Sequence, residues 1–409
     1  MTIAPPRTIA LTDKSFPPAA AGLPAAHLDL ELAEFSTPLL VLDGPALAHN
    51  IALMQSWCDE RGLELMPHGK TTMSPVLWER QLRAGASGIT AATGWQALVA
   101  LTSGVPVVQL ANTCADPQQL RALGAHLVAH PEQELVVWAD SPETIDLLED
   151  HLPAEARVGV LTELGADGAR TGARSVEQAR DLAHRVAVSP VLTLRGAAGY
   201  EGALAHDLTT ESLDRITRYL ADLARLAELI APDIDGSTWV SAGGSAYPDL
   251  VAEAFAPLTG HRRILRCGTY ITHDDGFYSS VSPLDPRRTD PAQESLRPAM
   301  SVFARVVSAP EPGLTLLDAG RRDVPFDDGL PIPRAVARTL GGPEEALAGE
   351  ITALNDQHAF LHTADGPQLR VGDVVRLGIS HPCTAFDRWR LIPVVDENGR
   401  VREAVETLF

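Results

Sequence analysis

An eight-stranded α/β barrel of the TIM type, followed by a smaller antiparallel β domain, is the architecture this sequence predicts. Three observations carry it. From about residue 39 to 272, short apolar runs alternate with amphipathic stretches, the pattern of parallel strands joined by right-handed helical crossovers. Reactive and glycine-rich residues cluster at or just beyond the ends of those runs, where barrel active sites are built. After about residue 273, prolines (Pro283, Pro286, Pro291, Pro298) separate alternating apolar runs, as in antiparallel sheets. A doubly wound open sheet is the alternative for the first part.

Residues 1–36, rich in Pro and Ala with little periodicity, read as an extended arm. The strand-like runs are Leu40–Asp43, Leu63–Met66, Gly88–Thr93, Val105–Ala111, Leu135–Ala139, Arg157–Leu161, Leu192–Gly199, Trp239–Gly243 and Ile264–Gly268. They exceed a barrel by one, and the first is expected to leave it and pair with the C-terminal part. Helical stretches intervene at Pro75–Ala84, Pro117–Leu127, Val176–Val186 and Leu213–Ile230. Several open on a capping residue such as Ser74, Ser141 or Ser175. Val302–Val307, Leu314–Leu317, Val371–Leu377 and Leu391–Val395 supply strands for the second part. The predicted division is an arm over 1–36, a barrel over 37–272 and a β domain over 273–409.

The bulk composition narrows the function. A chain of 409 residues, 45% apolar and 21% charged, is expected to fold as one large soluble domain with a smaller one attached. It has no apolar run of about 18 residues, and Met1–Arg7 lacks a secretory pattern. A net charge of −20 argues against nucleic acid and anionic membranes as partners. Cys58, Cys114, Cys267 and Cys383 show no CxxC spacing and read as reduced thiols in the cytoplasm. A small-molecule enzyme is the expected class.

Lysine is the rarest cation. Only Lys14 and Lys70 occur, and Lys70 follows an apolar run in Pro67-His68-Gly69-Lys70-Thr71. A desolvated lysine can lose its proton and attack a carbonyl, whereas arginine stays protonated. Codon bias towards arginine is the competing explanation. Gly243-Gly244-Ser245 and Gly268-Thr269-Tyr270 sit at consecutive strand ends, where converging backbone amides favour a phosphate. Tight-turn geometry alone also uses such glycines. Arg170 of Arg170-Thr171-Gly172 lies beyond a strand end, suited to a phenolate or carboxylate or to capping a surface loop. In His381-Pro382-Cys383, residues i and i+2 of an extended chain share a face. Imidazole and sulfur there suit a zinc-like ion; a buried cysteine beside a structural histidine is the alternative. His358 and His362 are further imidazoles in the same region.

Thr37–Asp43, Pro67–Thr71, Arg170–Gly172, Gly199-Tyr200-Glu201-Gly202, Ser241–Ser245, Gly268–Tyr270 and His381–Cys383, in that order, together resemble the D-serine dehydratase and D-threonine aldolase family. These are fold type III pyridoxal-phosphate enzymes related to alanine racemase. The resemblance implies that Lys70 carries the cofactor as an imine. It implies that Gly243, Gly244, Ser245, Gly268, Thr269 and Tyr270 hold its phosphate, that Arg170 meets its polar edge and that Tyr200 lies beside its ring. His381 and Cys383 would bind a divalent metal, zinc first, with manganese or magnesium as alternatives. A homodimer acting on a D-amino acid is expected, with the N-terminal arm joining the β domain. The continuation Thr72-Met73-Ser74 departs from the family pattern and resembles a branch labelled amino-acid deaminase, and Gly320–Asp328 is less usual around its acidic pair, Asp327-Asp328.

The expected chemistry is removal of the Cα proton by Lys70 and loss of a metal-assisted β-hydroxyl, giving a 2-oxo acid and ammonia. The rival is retro-aldol cleavage to glycine and an aldehyde. By resemblance, His-x-Cys leans towards elimination, because the family's aldolases more often place a carboxylate at the second position. Racemisation would need a second acid, and the extra β domain argues against a non-catalytic cofactor carrier.

Overall fold

A computed structural model describes residues 7–290, 292–363 and 369–409. Its barrel strands are β1 (Glu64–Leu65), β2 (Ile89–Ala91), β3 (Val107–Leu110), β4 (Glu134–Ala139), β5 (Gly159–Leu164), β6 (Thr193–Gly199), β7 (Trp239–Ala242) and β8 (Arg262–Leu265). All seven neighbouring pairs are parallel. The ring closes between β1 and β2 through a parallel bridge of His68 with Thr90, whose amide donates to the Pro67 carbonyl at 2.8 Å. The fold is therefore a barrel, and the open-sheet alternative falls.

These strands read as nearly continuous apolar runs because both faces are covered. Met66, Val136, Trp138, Leu161, Ala198, Trp239 and Ile264 pack together as one cluster of the barrel strands. Helices cover the outside. The helix Thr210–Ile230 buries Ile216, Tyr219, Leu220, Leu223, Leu226, Ala227 and Ile230 at three- and four-residue spacing. Ser141 and Ser175 cap their helices as expected, accepting from the Thr144 and Gln178 amides. Ser74 makes no such cap bond and is buried. β5 runs further than the sequence suggests: Arg157 adopts a left-handed turn (φ 51°) before it, and Glu163 belongs to the strand.

The surplus strand Leu39–Asp43 leaves the barrel. It pairs antiparallel with Met300–Glu311 (Val41 opposite Ser301) and parallel with Leu391–Val395 (Leu42 opposite Val394). The arm joins the same sheet, Leu30 opposite Val401. Lys14 is not in a loose tail: its Nζ lies 2.5 Å from Asp323 Oδ1 and 3.6 Å from the centre of the Trp389 ring. Strands Ile332–Ala337, Glu344–Ala346, Glu350–Leu354, Ala359–His362 and Arg400–Glu406 complete the antiparallel region.

Two junctions bear on the site. The Asp275 and Phe277 amides donate to the Ile379 and Ser380 carbonyls at 2.9 and 2.8 Å, tying the barrel exit to the segment before His381. The Leu408 amide donates at 2.8 Å to the carbonyl of Met73, a residue at φ 40° just after Lys70.

Candidate active site

Lys70 sits on a one-turn 3₁₀ segment, Gly69–Thr71, directly beyond β1. Trp78 clamps that turn: its Nε1 donates to the Gly69 carbonyl at 3.3 Å, and a side chain at 69 would strike its ring at 2.9 Å. Lys70 opens onto a cavity of about 210 Å³ at the C-terminal mouth of the barrel. Arg170, Tyr200, Gly244, Ser245, Gly268, Thr269 and Cys383 share that cavity. Burial among protein atoms lowers the Lys70 ammonium pKa; the Cys383 sulfur opposes the shift, while Arg170 and Arg266 reinforce it. Although solvent reaches Lys70 through the cavity, the walls depress its proton affinity.

Sequence reasoning assigned no role to several residues that build this mouth. Arg266, 1% exposed, donates from Nη1 to Ser241 Oγ at 2.8 Å and from Nη2 to the Gly199 carbonyl at 2.7 Å. His68 also lines it, and burial with Lys70, Arg266 and Arg170 holds its pKa well below the usual imidazole range, leaving it neutral. Glu163, 4% exposed, accepts from Thr171 Oγ1 at 3.0 Å. Burial pushes its carboxyl up to about 7, with Asp140 adding to the rise and the Thr171 bond opposing it. Arg170 stacks 4.7 Å from the Tyr200 ring centre. Burial and Glu201 push the Tyr200 phenol up to about 12.

The glycine turns differ from expectation in one respect. Glu201, fully buried, accepts from the Gly243 amide at 2.9 Å and the Gly244 amide at 2.8 Å. Those two amides are already paired and are not free for a phosphate. The carboxylate instead fixes the loop, so donors for an anion must come from Ser245 onward and from Gly268-Thr269. The Tyr270 side chain points into the core, where its hydroxyl accepts from Gln81 Nε2 at 2.9 Å. Gly268 allows the close approach of two loops, because a Cβ there would meet His68 Cβ at 2.7 Å.

Across the cavity stands the β-domain rim. Cys383 reaches the wall; His381, two residues before, packs 5.5 Å from Tyr278 and 6.0 Å from Phe277, measured between ring centres. Burial would lower the His381 pKa, but contact with Cys383 and the charges of Asp327 and Asp328 raise it to about 9. His358 and His362 are exposed and lie outside this group.

These residues fit a pyridoxal phosphate. His68 Nδ1, Glu163 Oε2, Arg266 Nε and Thr269 Oγ1 are buried polar atoms with no hydrogen-bond partner, all on residues lining the cavity. Such atoms are costly unless something completes them. Lys70, Arg170 and Arg266 concentrate positive charge within a chain of net charge −20, matching an anionic group. At the rim, both His381 ring nitrogens are likewise unpartnered, as suits a cation ligand.

Of the missed residues, Glu201 stood inside a quoted motif, Arg266 inside a predicted strand run, and the acidic pair Asp327-Asp328 was already unusual. Nothing in the sequence marked Tyr278.

The chain resembles known proteins along most of its length. Residues 299–395 match the family model described as "putative serine dehydratase domain". Over 377 residues the chain is 27% identical to D-threonine aldolase of an Arthrobacter species, covering 91% of this chain and 90% of that protein. It is 24% identical over 396 residues to D-threo-3-hydroxyaspartate dehydratase of Delftia sp. strain HT23, covering 91% and 97%. Among solved structures, D-threonine aldolase from Filomicrobium marinum superposes with a TM-score of 0.79 at 23% identity, over 93% of this chain and 98% of that one. Alanine racemase from Bacillus anthracis gives 0.61 at 15% identity, over 90% and 97%. These likenesses show the alanine racemase-like fold.

Proposed function

From the chain's kinship with serine dehydratase-like and D-threonine aldolase proteins, we propose that it is a pyridoxal-phosphate-dependent, metal-assisted lyase of β-hydroxy-D-amino acids. The reaction we favour is β-elimination of water, with hydrolysis of the resulting enamine to a 2-oxo acid and ammonia. One observation carries this most: the Lys70 amine, with lowered proton affinity, and the Cys383 sulfur beside His381 face a single cavity.

The cofactor, when bound, supplies an electron sink for charge developing at Cα. Lys70 is the residue to hold it covalently and then to take the Cα proton, since a depressed pKa leaves more free amine near neutral pH. Thr269, Ser245 and Gly268 line the region for its phosphate, with Glu201 holding the neighbouring loop rigid. Arg170 and Tyr200 flank the ring position. His381 and Cys383 are the residues the family likeness points to for a divalent cation, which would polarise the β-oxygen. Glu163, titrating near neutrality, can share or hold a proton at its unpaired oxygen.

The second reading is aldol cleavage to glycine and an aldehyde, favoured by the 27% identity to an aldolase along nine-tenths of the chain. Product analysis separates them. D-serine or D-threonine should yield 2-oxo acid and ammonia; glycine and an aldehyde from D-threonine would establish the rival. We also propose a homodimer, on the family likeness, which sedimentation would test.

A further inference from the structure

On the rim side of the cavity one wall residue is a phenol. Tyr278 lines the cavity together with Cys383 and Thr269. Its ring meets the His381 imidazole edge-on, 5.5 Å between centres, and packs 5.0 Å from the Phe277 ring. A phenol has an ordinary pKa of about 10 and so carries its proton at neutral pH.

The segment that presents Tyr278 is held from three sides. Asp274, 2% exposed, accepts from the Gly276, Tyr278 and Ser279 amides at 3.1, 3.1 and 3.0 Å, closing the start of the short helix Phe277–Val281. Before it, His273 Nε2 lies 2.8 Å from Asp285 Oδ2, and both side chains are buried. Beyond it, the Phe277 amide is already bonded to the Ser380 carbonyl, and Gly276 lies so close that a Cβ would meet that oxygen at 2.5 Å. A donor fixed in this way costs no reorganisation when a substrate arrives.

The elimination favoured above needs a proton at the β-oxygen, because hydroxide leaves poorly and water leaves well. Lys70 is committed to Cα. His68, Glu163 and Tyr200 line the cavity from the barrel strands, and Cys383 is taken by the family likeness for a cation. Tyr278 is left as the phenolic donor on the rim side.

We propose that Tyr278 is a catalytic residue, handing its phenolic proton to the departing β-hydroxyl. The inference rests on the elimination reading. The Cα–H bond breaks and its proton passes to the Lys70 amine, the Cα–Cβ double bond forms, and the Cβ–O bond breaks with its electron pair going to oxygen. That oxygen takes the Tyr278 proton and leaves as water. Proton exchange with solvent at the cavity mouth restores the Lys70 amine and the Tyr278 phenol, so the net loss is one water. Aldol cleavage would need the β-hydroxyl to lose a proton, which a protonated phenol cannot accept.

The test uses pyridoxal-phosphate-loaded protein and Tyr278→Phe, which keeps the ring and removes only the donor. With D-serine, kcat for pyruvate formation should fall by roughly 10²-fold or more, with KM within about threefold. 3-Chloro-D-alanine gives the same product but sheds chloride, which needs no proton, so its kcat should stay within about threefold of wild type. Calorimetric titration with D-alanine, which has no leaving group, should give a Kd within about twofold of wild type. An unchanged rate with D-serine, an equal loss with both substrates, or a matching loss of D-alanine affinity overturns the assignment while leaving the elimination reading intact. A loaded wild-type protein that releases pyruvate from neither substrate overturns that reading and the proposal with it.

Discussion

Two neighbouring regions, the barrel mouth and the β-domain rim, carry opposite charge. At the barrel mouth, Lys70, Arg170 and Arg266 gather positive charge around unpaired polar atoms, a place built for an anion. On the β-domain rim, Asp327 and Asp328 gather negative charge beside His381. Their origins differ as well. The mouth is set by strand ends of a closed barrel, with rigid turns clamped by Trp78 and Glu201. The rim is set by one loop pinned through Asp323 and by one short segment after Gly378. On the proposed reading, a substrate between them would meet two surfaces that can be tuned separately: the barrel mouth would set the cofactor chemistry, and the rim would bear on which bond breaks.

The comparison can be broken first at the mouth. Lys70→Ala should lower turnover by roughly 10³-fold or more and remove the visible imine absorbance of the loaded protein. Retained absorbance and activity would place the chemistry elsewhere. At the rim, His381→Ala or chelation should cost roughly 10²- to 10³-fold in turnover with the absorbance intact. A lost absorbance would mean that the two regions are not separable.

Glu163 gives a pH test of the mouth alone. Its carboxyl rises from 4.5 to about 7 on folding, so the folded chain holds an extra proton between those values. That stabilisation is complete below about pH 4.5 and is lost as pH rises through about 7. Glu163→Gln should therefore gain on the cofactor-free wild type by on the order of 3 kcal/mol at pH 8 and little at pH 4. Urea unfolding at the two pH values checks this; equal differences would discard the shifted carboxyl. Glu201→Gln, which spoils one of two amide contacts, should cost about 1–3 kcal/mol in stability and weaken cofactor binding, read by thermal melts and cofactor titration. Lys14→Met should have the smallest effect, about 1 kcal/mol, because Lys14 is half-exposed. It should leave the imine absorbance of the loaded protein untouched.

Much of the barrel was legible because parallel strands buried on both faces announce themselves as apolar runs. Lys70, Arg170, Tyr200, Ser245 and Thr269 lie where those runs end. Glu201 was not legible as a loop clamp, since its partners at Gly243 and Gly244 are some forty residues away and no local pattern encodes that meeting. The strand Glu344–Ala346 was missed because all three of its residues are exposed and none carries the alternation of a half-buried strand. The acidic pair was visible as letters, but its approach to His381 depends on the fold of the whole β domain. The contact of Lys14 was hidden for the same reason: its partner Asp323 lies 309 residues away.

The bond from the Leu408 amide to the Met73 carbonyl has a consequence for synthesis. The turn that presents Lys70 is translated early, yet it cannot gain this backbone partner until Leu408 has emerged from the ribosome. The barrel strands can assemble as they emerge, but that stitch beside Lys70 has to wait for a segment that follows the whole barrel in the sequence.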